Sequence, residues 1–230
     1  PAAIRLAGTT WGGPMSISAL GVSNLYSVVA TDTDHAWAVG LFGATTNIIN
    51  WVTPAWGALT TPILADLYSI RQDATGSDFW AVGAGGTIMR SMDGSSWTSW
   101  SSPVGPWSMF PFSPHLYSIF MRTVGDTWAV GQSGVIIHWD ENSWSSYITS
   151  PTTNDLLSVH TTSDTSGWAV GAAGTILTLS SGPAWSVVAS GATVTLRGVF
   201  VLQNGEAWAV GDAPNPGLPA TILHWTPPAG

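Results

Sequence analysis

The sequence contains no cysteine and very little charge. Without cysteine, the chain has no disulfide framework, no thiolate metal site and no cysteine nucleophile. Charged residues make up 8% of the 230 residues, which is about a third of the usual share. The five basic residues are all arginine, and they face thirteen acidic residues. This balance disfavours binding to nucleic acid phosphates and to anionic membrane surfaces.

Long apolar runs are also missing. No stretch approaches the roughly 18 residues of a membrane span, so we expect no membrane insertion. The N-terminal residues show no signal-peptide pattern. A start at Pro1-Ala2-Ala3 suits a mature chain whose leader has been removed, and the expected location is therefore extracellular or at the cell surface.

One tetrapeptide organises what is present. Trp-Ala-Val-Gly occurs five times, beginning at Trp37, Trp80, Trp128, Trp168 and Trp208. A repeat period of about 40 to 50 residues is typical of propeller blades rather than of helical repeats. Each copy follows a strand of the type Leu-x-Ser-Val and precedes a short β-branched strand. The repeat therefore predicts an all-β protein.

Each repeat contains four short strands. A second tryptophan opens the fourth strand, at Trp56, Trp97, Trp144 and Trp185. The inner strands lack polar alternation, as expected when neighbouring blades cover both faces of a sheet. We predict one five-bladed β-propeller domain over residues 1–230, built of four-stranded antiparallel blades. The predicted blades span about 25–66, 67–115, 116–155, 156–195, and 196–230 together with 1–24.

The fifth blade needs residues from both ends of the chain. The C-terminal repeat stops without a fourth strand, whereas the N-terminus has spare strand-like sequence. We predict that Pro14–Leu20, following Trp11, supplies the missing strand and closes the last blade. A piece of a longer repeat array is the alternative, because Ile4–Leu6 duplicates a strand that the C-terminal repeat already has.

The repeat pattern resembles known propeller families. Leu-x-Ser-Val, then Trp-Ala-Val-Gly-x-x-Gly-Thr-Ile, then a turn and tryptophan, is similar to secreted bacterial Trp-Ala-Val-Gly repeat propellers. It resembles more distantly the photosystem II assembly and stability factors and the BNR, or Asp-box, repeats of sialidases. The resemblance covers essentially the whole chain and implies the propeller fold. It leaves the function open, because these groups include assembly chaperones, lectin-like binders and hydrolases.

The Asp-box resemblance can be tested on individual residues. Ser91–Trp97 is the nearest copy of the box and is one residue short of it. In sialidases the box is a folding turn far from the catalytic site, so the resemblance here implies blade geometry alone.

Catalytic constellations are not evident. A sialidase-like site needs three converging arginines, but Arg71 and Arg122 are predicted at the end of the blades opposite Arg197. No two histidines have metal-ligand spacing. His138 and His224 occupy equivalent positions, which we interpret as semi-exposed strand positions. We predict no enzymatic activity, no metal and no cofactor; a glycoside hydrolase of sialidase type is the least favoured alternative.

The blades differ mainly in their loops. Long connections follow the second strand of the first blade (41–47) and of the fifth blade (212–220), and another joins the second blade to the third (100–115). In a propeller, all three lie on the same face, which we call the loop-rich face. Most acidic residues are predicted on the opposite face.

We therefore hypothesise a non-catalytic propeller that binds a partner protein or a surface assembly through its loop-rich face. Packing of the 100–112 stretch against the protein itself is the alternative role for those residues. A lectin with sugar sites between blades is the second functional hypothesis, and a glycan partner stays possible. The candidate binding residues are Trp100, Trp107, Met109, Phe110, Phe112, His115, Phe42, Asn47 and Asn215.

Overall fold

The computed structural model contains strands joined by short turns. In the described residues there are twenty-three β-strands and four single-turn 3-10 helices, and no α-helix. The strands cluster in two compact units, Pro1–Trp100 and Ser101–Gly230. The structure describes every residue except 1, 4–5, 8–9, 12–14, 21, 42–45, 105–112, 147–149, 182–183 and 228–230.

The first unit contains two four-stranded antiparallel sheets, in which each strand pairs with the next along the chain. Four two-residue strands precede them. The short strands are β1 (Ala2–Ala3), β2 (Leu6–Ala7), β3 (Thr10–Trp11) and β4 (Met15–Ser16). Blade 1 contains β5 (Leu25–Ala30), β6 (His35–Gly40), β7 (Ile48–Val52) and β8 (Ala55–Ala58). Blade 2 contains β9 (Leu67–Gln72), β10 (Phe79–Gly83), β11 (Ile88–Ser91) and β12 (Thr98–Trp100).

The second unit contains two further four-stranded sheets and one three-stranded sheet of the same order. Blade 3 contains β13 (Leu116–Thr123), β14 (Asp126–Gly131), β15 (Ile136–Trp139) and β16 (Trp144–Ser146). Blade 4 contains β17 (Leu156–Ser163), β18 (Ser166–Gly171), β19 (Ile176–Ser181) and β20 (Ala184–Val187). Blade 5 contains β21 (Leu196–Val201), β22 (Ala207–Gly211) and β23 (Thr221–Trp225). These five sheets confirm the predicted fold class, a five-bladed β-propeller.

The core forms between consecutive blades. Trp128 and Val130 of the blade 3 tetrapeptide share a buried cluster with Leu156 and Val159, which belong to the first strand of blade 4. The same positions pack in the same way between blades 1 and 2 and between blades 4 and 5. We call the face of a blade that meets the following blade its trailing face, and the other its leading face. Burying one such tryptophan stabilises the fold by about 4–6 kcal/mol as an upper value.

The second tryptophan of the repeat belongs to the same packing scheme. The Trp185 ring centre lies 5.4 Å from that of Trp128 in an edge-on arrangement. In the first unit, Trp97 of blade 2 shares a buried cluster with Trp37 of blade 1. In blades 2 and 4, the fourth-strand tryptophan therefore shares a buried cluster with the tetrapeptide tryptophan of the preceding blade.

The glycine of the tetrapeptide marks a close backbone approach. Gly171 has an extended backbone with φ −170°, so its conformation does not require glycine. A Cβ atom there would lie 1.9 Å from the Asp155 carbonyl oxygen. That carbonyl accepts a hydrogen bond from the N–H of Ala172. The glycine is needed because the chain entering the blade passes directly against this turn.

The N-terminal segment pairs with itself in its described part. Met15–Ser16 forms an antiparallel pair with Ala2–Ala3, and Ser18–Leu20 forms a 3-10 turn. Among the described residues blade 5 has three strands, and its completion by Pro14–Leu20 stays a prediction.

The N-terminal segment also packs against blade 1. Ile17 and Val22 are each 3% exposed and form a buried cluster with Ala38 and Ile49 of blade 1. Those two blade residues lie on its leading face, which no other blade of the first unit covers. The N-terminal segment therefore buries apolar surface on that face of blade 1.

The Asp-box remnant is a turn, as its resemblance implies. The Asp93 carboxylate accepts hydrogen bonds from the N–H groups of Ser95 and Ser96, both at 2.7 Å, and from the Ser91 hydroxyl. Gly94 adopts a positive φ of 70°, and its carbonyl accepts the indole N–H of Trp37 at 2.7 Å. The turn therefore joins blade 2 to blade 1 within the first unit.

We expect Gly171→Ala to destabilise the protein by about 3 kcal/mol or more, because the added Cβ overlaps a backbone carbonyl that cannot withdraw. Gly191→Ala is the matched control. Gly191 has a φ of 69° but no atom within 4 Å of its Cβ position, so that change should cost only about 1 kcal/mol. Urea unfolding of the two variants measures the difference, and equal losses would contradict the close-approach explanation.

We expect the Asp93 carboxyl to titrate far below an ordinary aspartate. Hydrogen bonds from the backbone N–H groups of Ser96 and Ser95 lower its pKa to about 2. Because the folded pKa lies below the unfolded one, the contribution of Asp93 to stability is present above pH 4 and declines as the pH falls toward about 2. Carbon-detected NMR titration of the Asp93 side chain measures this; a midpoint near an ordinary aspartate pKa would disprove it.

Candidate recognition surfaces

Two classes of connection meet at one end of the blades, and this is seen separately within each unit. In the second unit, Ala172 follows the second strand of blade 4 and donates its N–H to Asp155, which precedes that blade. In the first unit, Ala84 follows the second strand of blade 2 and donates to Asp66, which precedes it. The two classes of connection that carry the insertions therefore share one end of the blades.

Trp100 is an exposed aromatic held in a fixed position at this end of blade 2. Its side chain keeps 37% of its surface exposed. The ring centre lies 5.6 Å from that of Trp80, and the Arg90 guanidinium carbon lies 5.7 Å from it. Cation–π and ring contacts of this kind restrict the indole to one orientation.

Arg90 is itself fixed by a buried acid. Its Nε and Nη2 atoms donate to the two carboxylate oxygens of Asp78 at 2.8 and 2.9 Å. Asp78 is only 3% exposed. This bidentate pair neutralises the charge beside Trp100 and orients the guanidinium over the two rings.

The two candidate asparagines have different environments. Asn47 is completely buried; its amide donates to the carbonyls of Ile63 and Ala65, both at 2.8 Å, and accepts from Thr61. Its role is to hold the connection between blades 1 and 2, and it offers no surface to a partner. Asn215 is exposed in the 212–220 loop, where its carbonyl accepts the N–H of Leu218.

His115 lies on the loop-rich face of the second unit. Its backbone N–H donates to the side-chain oxygen of Gln132, and its carbonyl accepts the Gln132 N–H at 2.9 Å. Its ring centre is 6.1 Å from that of Tyr117. Burial, aided by the negative charge of Asp155, raises the pKa of Tyr117. The phenol therefore stays neutral on this face.

The remaining predicted binding residues lie outside the described residues: Trp107, Met109, Phe110, Phe112 and Phe42.

A recurring stack of tryptophan, base and acid was missed in the sequence. In blade 3, the His138 ring lies 4.1 Å from that of Trp128, and its Nε2 atom is 2.6 Å from an Asp126 oxygen. Blade 5 repeats this with His224 stacked on Trp208 at 3.9 Å and 3.5 Å from Glu206. Blade 2 repeats it with Arg90. The sequence signal for this stack is an acidic residue two positions before the tryptophan, together with a basic residue at the matching position of the next strand.

An acidic cavity of about 440 Å³ adjoins the blade 3 stack, at the end opposite the loop-rich face. Arg122 crosses it and binds the carboxylates of both Asp126 and Asp164. Burial of the Asp126 carboxylate opposes ionisation, but hydrogen bonds with His138 and Arg122 outweigh it and lower the pKa of Asp126. The cluster is internally compensated, which is the behaviour of a structural ion network.

The described arginines do not form a carboxylate clamp. Arg71 donates to the Ile70 carbonyl at 3.0 Å, and its burial lowers its pKa. Arg197 binds Asp212 through two hydrogen bonds. With Arg90 and Arg122 also held by acids, each of these four guanidiniums is committed to its own partner, so the described residues do not support a sialidase-like site.

The described part of the chain contains no group of three or more histidine, aspartate and glutamate side chains arranged to hold a metal ion. None of its helices is long and apolar enough to span a membrane.

Comparison with solved structures agrees with the fold. A structure described as YCF48 bound to D1 peptide superposes with a TM-score of 0.62 at 18% identity, covering 90% of this chain and 64% of that one. YCF48 from Cyanidioschyzon merolae gives 0.57 at 17% identity, covering 84% and 65%. The WD40 repeats of RRP9 give 0.65 at 9% identity, covering 97% and 62%.

These likenesses show a propeller fold and nothing finer, because all identities are below 20%. The chain spans just under two-thirds of the length of each of these structures. No protein-family model matches the chain, and no curated protein does.

We expect Asp126→Asn to lower the free energy of unfolding by about 2 kcal/mol at pH 6, because a buried carboxylate loses charged hydrogen bonds. The folded pKa of Asp126 is below its ordinary value, so this stabilisation is present near neutral pH and is lost as the pH falls through the folded pKa. The variant should therefore differ less from the wild type at pH 3 than at pH 6.

Asp164→Asn is the control for that prediction. The Asp164 side chain is 82% exposed, and an exposed ion pair contributes less than about 1 kcal/mol. Urea unfolding at the two pH values compares the variants. Equal losses of unfolding free energy for the two substitutions at pH 6 would contradict the larger contribution expected from the Asp126 carboxylate.

Proposed function

We propose that this protein is a non-catalytic interaction propeller, located outside the cytoplasm, that binds a partner protein or a surface assembly through its loop-rich face. The observation that carries the proposal is the fixed, exposed indole of Trp100 at the start of the longest inter-blade connection.

Preorganisation makes Trp100 a suitable anchor. The indole is already held against Trp80 and beside Arg90, so it loses little conformational entropy when a partner covers it. Tryptophan and arginine are the residues that most often dominate the binding energy of protein interfaces. A partner with an apolar side chain or a peptide group facing this indole would gain contact area without rearranging the blade.

Charge compensation supports the same conclusion. In the second unit, the loop-rich face has Arg197 paired with Asp212, and the Asp155 carboxylate accepts the N–H of Ser133 at 2.8 Å. Covering groups that already have partners costs less desolvation free energy than covering isolated charges. The likeness to a propeller described as bound to a peptide adds support for a polypeptide partner.

A lectin function receives less support. Sugar sites repeated between blades require the same polar and aromatic set at each blade. Among the described residues, the polar set that recurs is the stack of tryptophan, base and acid. Blade 4 does not have this set, because Ser166 stands at the acid position and Thr178 at the base position. The partner that the geometry favours is therefore a protein.

We expect a photo-crosslinking amino acid at position 100 to capture a specific partner in the secreted or cell-surface fraction, whereas the same residue at position 92 should not. Met92 is 72% exposed and lies at the opposite end of blade 2, so it controls for general exposure. With the identified partner purified, Trp100→Ala should weaken binding by about tenfold or more, measured by calorimetry.

Met92→Ala should leave that affinity unchanged. The proposal fails if Trp100→Ala and the sequence-predicted Phe110→Ala both bind the partner as tightly as the wild type. A glycan array that returns a specific sugar ligand whose binding depends on Trp100 would instead move the function to the lectin class.

A further inference from the structure

The turn between the first two strands of blade 5 contains the one Asn-Gly pair of the sequence, Asn204-Gly205. A hydrogen bond from the Leu202 N–H to the Glu206 carbonyl, at 2.8 Å, joins the ends of the turn. Gly205 has a φ of 87° and donates its N–H to the Leu202 carbonyl at 2.9 Å. A three-residue hairpin loop with glycine in the left-handed region has these features. Asn204 is therefore held at the exposed tip of a tight hairpin.

The Asn204 side chain folds back onto the peptide group that follows it. Its Oδ1 atom accepts the N–H of Glu206 at 3.1 Å, and its Nδ2 atom donates to a Glu206 carboxylate oxygen at 3.2 Å. The first bond is that of an Asx turn, and it closes a small ring of atoms that contains both the Asn204 Cγ and the Gly205 nitrogen. The amide carbon and that nitrogen are therefore held close to each other.

This arrangement favours attack of the Gly205 nitrogen on the Asn204 amide carbon. Glycine has no Cβ atom to obstruct the approach. The N–H of Glu206 donates to the oxygen on which negative charge develops during the attack, as the donors of an oxyanion hole do. The Glu206 carboxylate orients the amide nitrogen that has to leave. The backbone and the side chain of Glu206 thus both act on the reacting amide.

We propose that Asn204 is a self-modification site, which loses its amide through a cyclic imide formed with Gly205. Hydroxide removes the proton of the Gly205 N–H, and the nitrogen forms a bond to the Asn204 Cγ. The bond from Cγ to Nδ2 then breaks, and the amide leaves as ammonia with a proton taken from water. A second water opens the imide at one of its two carbonyl carbons and leaves aspartate or isoaspartate at position 204. In sum, one water is consumed and one ammonia is released.

Asp93 and Gly94 form the matching pair in which this reaction should not occur. An ionised carboxylate resists attack by a nucleophile, and backbone hydrogen bonds from Ser96 and Ser95 lower the pKa of Asp93 to about 2. The Asp93 carboxylate is therefore ionised at neutral pH. We expect Asp93 to stay unchanged under conditions in which Asn204 reacts, although glycine follows both residues.

The modification would loosen the hairpin of blade 5. Isoaspartate adds one backbone carbon between Leu202 and Glu206, whose hydrogen bonds lie next to the last pair of the β21–β22 ladder, Val201 with Ala207. Either product also loses the Nδ2 donor and gains a carboxylate near that of Glu206, and like charges repel. The turn is at the end of the blade opposite the loop-rich face, so this site is separate from the surface proposed to bind a partner.

The test incubates the whole folded chain at mildly alkaline pH and follows every asparagine by peptide mapping with mass spectrometry. Asn142 is the internal control. It is also exposed, but Ser143 follows it, and the Ser143 N–H donates to the Asp140 carboxylate at 2.9 Å. Both the serine side chain and the charged hydrogen bond hinder attack by that nitrogen. Asn204 should convert about tenfold faster than Asn142, or more.

Two further measurements identify the product. An isoaspartyl methyltransferase assay should detect isoaspartate in the incubated wild type and none above background in Asn204→Gln, because the longer side chain closes an imide ring far more slowly. Hydrogen exchange should show that the amides of Leu202 and Gly205 lose protection as the conversion proceeds.

A matched pair of variants tests the role of Glu206. Glu206→Pro removes the N–H that donates to Asn204 and should slow the conversion about tenfold or more. Glu206→Gln keeps that N–H and an acceptor for Nδ2, so it should convert as the wild type does. Equal rates for the two variants would overturn the proposal.

A peptide comparison decides the matter if Glu206→Pro does not fold. The peptide of residues 202–207, Leu-Gln-Asn-Gly-Glu-Ala, has the same local sequence without the rest of the blade. The proposal is overturned if Asn204 in the folded chain stays intact after this peptide has converted, or if it converts no faster than Asn142.

Discussion

The interaction on which the structure depends is the contact of one blade with the next. A single sheet of three or four strands cannot bury an indole on each side by itself, and it obtains that burial only from a neighbouring sheet. Trp128 and Val130 are buried because Leu156 and Val159 of the following blade pack against them. Within each unit, consecutive blades solve the same packing problem with the same positions, and this is why the tetrapeptide recurs while the loops do not.

The separation between recurring core positions and variable loops has consequences for function. The tetrapeptide glycine lets the incoming chain pass within contact distance of the turn, which fixes the start of each blade relative to the preceding connection. Insertions placed at that end therefore extend from a rigid base. Trp100 shows the result, because an exposed indole is oriented by Trp80 and by the Arg90–Asp78 pair beneath it. The opposite end carries acids that are occupied in turns and ion networks, as Asp93 and Asp126 illustrate.

Much of the fold could be predicted from the sequence, and less of the candidate surface. The strands, their order and the buried tryptophans follow from a repeat whose period and pattern are unambiguous. Asn47 shows the limit, since a polar residue in a long loop was interpreted as a contact residue, yet it is buried and holds the carbonyls of Ile63 and Ala65. Backbone groups that need partners are invisible in a sequence, so such an amide cannot be distinguished there from a binding residue. The residues predicted between 107 and 112 remain predictions.

The sequence by itself determined the blade: its strands, its core positions and its number of copies, because periodic apolar residues must be buried and four short strands repeating at this period are typical of propeller blades. Only the tertiary structure decided which groups meet across the sheet and between sheets. It paired the acids two residues before the tryptophans with Arg90, His138 and His224. It also packed Ile17 and Val22 against Ala38 and Ile49 of blade 1. Which surfaces pack together depends on residues far apart in the chain, and a local sequence pattern does not contain that information.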